Sequence, residues 1–372
     1  MHFLKRFKKR YIPLNTISIS RDALLHNYRY LSTVDTDMAI APVLKSNAYG
    51  HGIKEVGKIL DRVGAPYFCV DSLYEAYELY KAKVKTPILI MGYVNPENLA
   101  VKKLPFSYAV SSIETLEAIK KYQPHAMVHL FIDTGMRREG IPVELLHSII
   151  PDLLSNKVRI EGVMSHFAAS EEYDVSTKKQ VETFQEALLF LHHSGIYPKW
   201  IHHGNSSALL NYKSYIGAIG NMARPGIATY GVDPEAKNTS LRPALSFEST
   251  LVQIKALAKG EPTGYNFTYI AKKNMKIGVV AAGYNDGIDR RLSNLGFMEI
   301  DKIACQIVGR VSMNLTMIDI TNVPNPRVGD RVTVFSSDPK AKSYVGNAAT
   351  ISNTIPYDLL VGLTPHTKRI IT

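Results

Sequence analysis

The sequence predicts an α/β protein: a (β/α)8 TIM barrel followed by a mostly β domain. Between about residues 38 and 232, short apolar runs alternate with segments whose apolar residues recur every three or four positions. This is the pattern of βα units with a parallel sheet. Eight such runs favour a closed barrel, and Gly50 and Gly52 do not make the G-x-G-x-x-G of an open dinucleotide-binding sheet.

The predicted elements follow in chain order. The barrel strands are 38–44, 67–70, 87–91, 108–111, 127–133, 159–165, 200–203 and 222–230. The helical segments named between them are 53–63, 73–83, 113–122, 143–156 and 176–193. After residue 236 alternating strands separated by turn residues indicate a β domain, with strands at 251–257, 277–282, 305–308 and 332–335.

The early run 16–20 alternates in the same way as the late strands, and we expect it to join the β domain from across the chain. The predicted domains are a basic tail at 1–15, the barrel at 16–236 and the β domain at 237–372. No internal repeat of fixed period is present in the sequence.

The composition is that of a globular protein, with 372 residues of which 45% are hydrophobic. No apolar stretch approaches the roughly 20 residues that span a bilayer. The basic start lacks the apolar segment of a signal peptide, so we expect a cytoplasmic protein without a membrane span. Cys69 and Cys305 lie in apolar runs without the spacing of a metal or redox site. We therefore expect buried thiols and no metal.

The net charge of +11 does not predict nucleic-acid binding. Five of the positive charges fall in the first ten residues, and the remainder shows no basic stripe interleaved with aromatic residues. We expect no nucleic-acid partner. The basic tail is interpreted as a solvated arm or as a weak contact for anionic surfaces.

Lys45 has the most unusual position in the sequence. It ends the first apolar run and enters the glycine-punctuated turn 46–52. An ammonium group there is either a solvated cap of the strand or a lysine that condenses with an aldehyde. Polar residues follow later strands on the same, carboxyl-terminal face of the barrel, where reactive groups of such barrels lie: residues 133–138, His166, Asn205, Ser206 and residues 224–227.

A phosphate site is predicted near this lysine. Backbone N–H groups near Gly226 and Ile227, with the hydroxyl of Ser206, can cradle a phosphate. Glycine lets the backbone approach closely, and oriented amides favour an anion. A lysine together with a phosphate site suggests pyridoxal phosphate as the cofactor.

Several motifs together resemble the alanine racemase family, the fold-type III class of pyridoxal-phosphate enzymes. The resemblance covers nearly the whole chain, in the family's order. The matching segments are VLKSNAYGHG at 43–52, DTGM at 133–136, SH at 165–166, NS at 205–206, RPGI at 224–227, GY at 264–265, GY at 283–284 and VGRVSM at 308–313. The first segment is highly specific, whereas the short pairs gain weight from their order.

The resemblance implies the catalytic residues. Lys45 would hold the cofactor covalently and, once freed by the incoming amino acid, act as one acid–base group. Tyr265 would be the other, reaching in from a partner subunit. Racemisation moves protons on both faces of the α-carbon, so two groups on opposite sides are required. Tyrosine is a weak base unless cationic surroundings favour its phenolate, and the implied network is Tyr265, His166, Arg224 and His202.

The resemblance also implies how cofactor and substrate are held. Arg224 would face the pyridine nitrogen and, because arginine keeps its proton, would limit charge withdrawal into the ring and so favour racemisation over transamination. The other implied contacts are Tyr49, Ser206, Gly226, Ile227 and Tyr357 to the phosphate, His166 to the ring, Arg138 and the amide of Met313 to the substrate carboxylate, and Tyr284 at the access channel. Without the family pattern, Tyr49 and Tyr357 read as half-buried aromatics and His166 as a strand-end histidine.

The predicted function is interconversion of L-alanine and D-alanine for cell-wall peptidoglycan, by a head-to-tail homodimer with shared active sites. Phe131 stands where many members carry a carbamylated lysine that braces the active-site arginine, so we expect Glu139 or a chloride to hold Arg138. Asn314 replaces a common aspartate. Racemisation of serine or of a wider set of amino acids is the alternative within the class. A non-catalytic pyridoxal-phosphate carrier, which would lack a β domain, is the alternative outside it.

Overall fold

The computed structural model describes residues 12–155, 158–170, 175–212, 217 and 219–372. Residues 1–11, most of the predicted basic tail, lie outside this part. The described chain forms two compact units. One comprises residues 20–244, and the other joins the residues up to Ile19 with Leu245–Ile371. The topology of both units agrees with the predicted fold class.

The first unit contains a ring of eight parallel strands in sequence order. They are Ala39–Ile40, Phe68–Val70, Ile88–Ile90, Ser107–Val110, Met127–Asp133, Arg159–Met164, Trp200–His202 and Met222–Ala223. The second, third and fourth strands are buried throughout. Their mostly apolar sequences suit strands that are covered on both faces by side chains and helices.

Backbone pairing closes this ring. The last strand pairs with the first, Met222 beside Ala39 and Ala223 beside Ile40. A bridge between Val43 and Cys69 links the first strand to the second. The seventh and eighth strands are joined by the Asn221 amide, which donates to the Ile201 carbonyl at 3.0 Å. The result is a barrel without a free sheet edge.

Helices on the outside of the barrel alternate with the strands. They are Arg21–Val34, Ile53–Leu60, Leu73–Lys81, Pro96–Val101, Ile113–Tyr122, Leu146–Leu153, Val175–His193 and Ser206–Asn211. Five of them begin at a serine or asparagine whose side chain accepts a hydrogen bond from an amide of the first turn, which satisfies a donor that the helix leaves open: Ser20, Ser72, Asn95, Ser112 and Asn205.

The second unit is built around the long strand Leu245–Leu257. It pairs antiparallel with Thr16–Ile19, with Met275–Val280 and with Arg331–Phe335. Thr16–Ile19 also pairs in parallel with Lys368–Ile371. The remaining strands are Pro262–Thr263, Tyr269–Ile270, Phe297–Ile300, Ile303–Gln306 and Thr316–Asp319. Two helices, Val345–Ile351 and Pro356–Val361, complete the unit.

The eighth barrel strand differs most from its prediction. The sequence indicates a strand over 222–230, but the strand ends at Ala223 and a 3-10 helix runs over Ile227–Tyr230. Pro225 has no N–H to donate to a neighbouring strand, and Gly226 follows it directly. The helices Arg21–Val34, Pro96–Val101, Ser206–Asn211, Val345–Ile351 and Pro356–Val361 were not among the predicted elements.

Candidate active site

Lys45 follows the first barrel strand by five residues, at the end where the other predicted barrel-site residues also gather. Its Nζ is 3.8 Å from Oδ1 of Asp71, which follows the second strand. The side chains are 38% and 60% exposed, so this ion pair holds the ammonium only weakly. The amine is therefore accessible for chemistry rather than locked in a salt bridge.

The backbone after Lys45 forms a left-handed turn. Ser46, Asn47, Ala48 and Tyr49 all have φ between 51° and 54°, a region that costs non-glycine residues free energy. The Glu75 carboxylate accepts from the Ser46 amide at 2.5 Å, and the Asn47 side chain accepts from the Ile53 amide at 2.9 Å. These contacts hold a strained turn that sends Lys45 and Tyr49 into the same end of the barrel.

Tyr49, Ser206 and Gly226, the residues expected to hold a phosphate, lie close together. A Cβ atom at residue 226 would overlap the Tyr49 hydroxyl, so only glycine allows this approach. Ser206 Oγ accepts from the amides of Gly226 and Ala228 at 2.9 and 3.2 Å. Burial raises the pKa of Tyr49, with smaller contributions from the charges of Asp71, Cys69 and Glu75. Its hydroxyl is therefore a neutral hydrogen-bond donor at physiological pH.

Two buried aromatic rings, Tyr230 and His51, support this cradle, and the sequence alone gives neither of them a role. Tyr230 lies 5.1 Å from Tyr49 and 4.4 Å from His51, measured between ring centroids. Its hydroxyl donates to the carbonyl of Val43 at 2.8 Å, just before Lys45. Tyr230 thus ties the eighth βα connection to the first.

Arg224 is buried, with 4% exposure, and no described carboxylate pairs with it. Its Nη1 donates to Nδ1 and to the carbonyl of His202, at 2.6 and 2.8 Å. Its Nη2 donates to the Ser165 carbonyl at 2.6 Å and approaches Nδ1 of His166 at 3.4 Å. Four of its five N–H groups are thereby used, and no described residue accepts from Nε. Burial lowers the pKa of Arg224 to about 10, which leaves it cationic at neutral pH.

The charge on Arg224 lies among histidines that are neutral. Burial, followed by the positive charge of Arg224, lowers the pKa of His166, of His129 and of His203 to about 3. The same two causes hold the pKa of His202 well below its usual value. His129 was missed by the sequence reading. The only feature that could have indicated it is a histidine within the mostly apolar strand segment VHLFID at 128–133.

Acidification from pH 7.5 to 5 is expected to destabilise the apoprotein. The unfolded histidines take up protons below about pH 6.5, whereas the folded ones stay neutral to about pH 3, so stability falls as the pH drops through this window. Each contributes about 1.4 kcal/mol per pH unit. Urea unfolding at a series of pH values measures the slope.

His203 offers a matched variant for this experiment. The centroid of its ring lies 5.0 Å from that of Phe167 and 5.2 Å from that of Phe184. Neither of its ring nitrogens has a hydrogen-bond partner among the described residues. His203→Leu should reduce the slope by about 1.4 kcal/mol per pH unit. A slope equal to that of the unsubstituted protein would contradict a neutral, buried His203.

Arg138 lies beyond the fifth strand and is 53% exposed in the isolated chain. Its Nε is 3.6 Å from Oε2 of Glu139, one of the two acceptors expected for it, although at this exposure the pair contributes little. Phe131 is 5% exposed and packs in an apolar cluster with Ala109 and Met164. It gives Arg138 no anion.

The predicted site residues of the second unit are mostly exposed. Tyr265 is 66% exposed at the tip of the hairpin formed by Pro262–Thr263 and Tyr269–Ile270. The preceding residue, Gly264, has a φ of 80°, which favours glycine. A Cβ atom at residue 264 would lie only 3.1 Å from the Cα atom of Gly309. Met313 and Tyr284 are neighbours, since the Asn285 amide donates to the Met313 carbonyl at 2.9 Å. Tyr357 is half-buried in the helix Pro356–Val361.

Within the described ranges, no helix is long and apolar enough to cross a bilayer. Among the same residues, no three histidine, cysteine, aspartate or glutamate side chains are grouped to hold a metal ion. Cys69 and Cys305 are both buried and free.

The chain combines a closed barrel, an accessible lysine after the first strand, a buried arginine after the last strand and a separate β unit. These features define a class of two-domain barrel enzymes. Sequence models of "Alanine racemase, N-terminal domain" and "Alanine racemase, C-terminal domain" match residues 19–234 and 244–371. The chain belongs to the alanine racemase family. The predicted family and enzyme class are thereby confirmed.

Individual relatives agree with this assignment. The alanine racemase of Syntrophobacter fumaroxidans is 34% identical over 354 residues, which are 92% of this chain and 93% of that protein. The alanine racemase of Sorangium cellulosum is 33% identical over 365 residues, 93% of this chain and 96% of that protein.

Solved structures show the same fold. The alanine racemase from Streptomyces lavendulae has a TM-score of 0.89 at 25% identity and covers 98% of both chains. That from Bartonella henselae, solved with covalently bound pyridoxal phosphate, has a TM-score of 0.86 at 26% identity, covering 97% of this chain and 100% of that one. The Bacillus anthracis enzyme with bound L-Ala-P has a TM-score of 0.88 at 30% identity, covering 98% and 96%.

Proposed function

We propose that this protein interconverts L-alanine and D-alanine with pyridoxal phosphate as its cofactor. The observation that carries the proposal is Arg224, a buried cation whose only N–H without an acceptor among the described residues is on Nε. A donor kept free in this way suits a ring nitrogen that carries no proton. When bound, the cofactor withdraws electrons from the substrate's α-carbon and so makes its proton removable.

The cradle at the other end of the site fits the phosphate. Tyr49 and Ser206 offer hydroxyls, and Ile227 begins the 3-10 helix whose first amide favours an anion. Gly226 contributes space for the close approach, since its own amide donates to Ser206 Oγ. Lys45 is the covalent anchor, since its amine is accessible and lies in the turn that also carries Tyr49. His166, beside Arg224, packs against the ring, and Tyr357 supplies a further phosphate contact in this proposal.

Two residues exchange the α-proton in the proposed mechanism. Lys45 takes or gives it on one face, and Tyr265 of a partner subunit does so on the other. A homodimer is supported by exposed apolar residues of the β unit: Phe267 and Ile270, in the same segment as Tyr265, are 67% and 59% exposed, and Met313 is 55% exposed. Apolar surface of this kind commonly marks an interface. Arg138 and the amide of Met313 hold the substrate carboxylate, and Tyr284 narrows the access channel.

Two residues bear on the choice of amino acid. Phe131 is an uncharged residue in an apolar cluster with Ala109 and Met164, and Asn314 is an exposed neutral residue next to Met313. A serine or broad-specificity racemase is therefore the second candidate. The match to both domain models removes support for a carrier consisting of the barrel alone. We further propose a cytoplasmic enzyme that supplies D-alanine for peptidoglycan, consistent with two free buried thiols.

The purified protein tests this proposal directly. It should absorb in the visible range after incubation with pyridoxal phosphate, and borohydride should fix the cofactor to Lys45 in peptide maps. It should also racemise both enantiomers of alanine. We expect kcat/KM for L-alanine to exceed that for L-serine and for L-lysine. A higher value for either rival would make the second candidate the better one, and absence of racemisation with bound cofactor would reject both.

A further inference from the structure

Arg224 is not the end of its hydrogen-bond chain. His202, its partner, continues the chain because Nε2 of His202 lies 2.7 Å from Nδ1 of His129. Both imidazoles have no exposed surface. Nε2 of His129 has no hydrogen-bond partner among the described residues. Three side chains thus form a line inside the barrel: His129 on the fifth strand, His202 on the seventh and Arg224 directly after the eighth.

The position of every proton in this line follows from Arg224. A guanidinium can only donate, so Nδ1 of His202 must be the acceptor. A neutral His202 then carries its proton on Nε2 and donates it to Nδ1 of His129. His129 carries its own proton on the far nitrogen, Nε2. A proton on Nδ1 of His202 would instead place two donors 2.6 Å apart.

The strand that faces His129 is shaped to receive its ring. His129 pairs with Gly162, and the register shifts by one residue between Val128 and His129. A Cβ atom at residue 162 would overlap Nδ1 of His129, so only glycine leaves the imidazole in place. On its other side Tyr67 meets the ring edge-on, with centroids 5.0 Å apart. These contacts fix the orientation of the imidazole.

We propose that His129 is a positioning residue for the reaction: it accepts the Nε2–H of His202 and so holds Arg224 with Nε free to face the cofactor. The inference rests on the proposed function for its effect on catalysis. Without the acceptor at His129, His202 can move its proton to Nδ1. Nδ1 then no longer accepts from Arg224, and the guanidinium is free to turn. His129 touches no reacting atom, so substrate binding should change little.

Side-chain ¹⁵N NMR of the histidine-labelled holoprotein tests the proton positions without measuring activity. We expect His202 and His129 to be neutral and protonated on Nε2. In His129→Leu, His202 should show a mixture of tautomers, whereas His129→Asn, whose amide oxygen can accept in place of Nδ1, should keep the native one. A His202 protonated on Nδ1 in the unsubstituted protein would overturn the proposal.

Kinetics of the same variants test the consequence. His129→Leu should lower kcat roughly tenfold to a hundredfold, the effect of leaving a buried donor unpaired, with KM for alanine changed less than about threefold. His129→Asn should recover most of kcat. Tyr67→Phe, which removes the hydroxyl that contacts Glu161 but keeps the ring beside His129, is the matched control and should retain kcat.

The outcomes separate the two proposals. A His129→Leu variant with native kcat and native His202 tautomer overturns the role of His129, even if the enzyme is an alanine racemase. If the unsubstituted protein binds no cofactor or racemises nothing, the proposed function fails, and the NMR result on the apoprotein still decides the hydrogen-bond line. Should His129→Leu fail to fold, Gly162→Ala displaces the same ring from outside and should give the same change of tautomer.

Discussion

Replacing Lys45 by alanine is expected to lower kcat/KM for alanine racemisation by roughly ten-thousandfold or more. The change removes both the covalent anchor of the proposed cofactor and one of the two groups that move the α-proton. Lys45 is 38% exposed on its side chain, and its contact with Asp71 is weak, so folding should be almost unaffected. Racemisation rates from both enantiomers, together with thermal unfolding, measure the two effects.

Lys54→Ala is the matched control for this variant. Lys54 lies nine residues further along the chain and is paired with Glu78 on the outside of the barrel, 49% exposed. It should retain the native rate. If Lys45→Ala kept more than about a tenth of the activity, Lys45 would be the solvated strand cap that the isolated sequence segment also allows.

Tyr265→Phe is expected to lower the racemisation rate by about a hundredfold to ten-thousandfold, the usual contribution of one acid–base group. The hydroxyl is the only group removed, and Tyr265 is 66% exposed in the isolated chain, so neither folding nor cofactor absorbance should change. In D₂O the variant should still exchange the α-proton of one enantiomer through Lys45. Exchange without inversion is the signature that distinguishes a lost second base from a damaged site.

Tyr269→Phe in the same hairpin is the control, because its half-buried hydroxyl contacts Met275 Sδ at 3.6 Å within the β unit. A native rate for Tyr265→Phe would exclude its role as a base. Coexpression of the Lys45→Ala and Tyr265→Phe chains tests whether the site is shared. Mixed dimers then contain one intact site, and about a quarter of native activity should return. No recovery would contradict the shared homodimer.

The barrel could be predicted because its strands are short apolar runs whose order and spacing leave few alternatives. The left-handed turn at Ser46–Tyr49 could not, because no local preference favours four successive non-glycine residues at positive φ. It depends on Glu75 and Tyr230, which are distant in sequence. The early end of the eighth strand was visible in Pro225, but the apolar residues after it outweighed that signal.

The site could be predicted wherever a motif names its residues, as for Lys45, Ser206 and Arg224. His129 was missed because a lone histidine in an apolar strand looks like any satisfied core residue. Its meaning comes from His202, 73 positions away, and from the absent side chain of Gly162. The exposure of Arg138 was also unpredictable, since it depends on how the loop after the fifth strand folds.

The two-residue pairing that closes the barrel has a consequence for the order of folding. Ala39–Ile40 must wait for Met222–Ala223, more than 180 residues later, so closure is a long-range and therefore slow event. Lys45 lies on one side of this junction, and Ser206 and Arg224 on the other. A cofactor that contacts both sides would bind only the closed barrel and would therefore stabilise the closed barrel by mass action. Cofactor saturation should therefore slow hydrogen exchange at this junction more than elsewhere in the barrel.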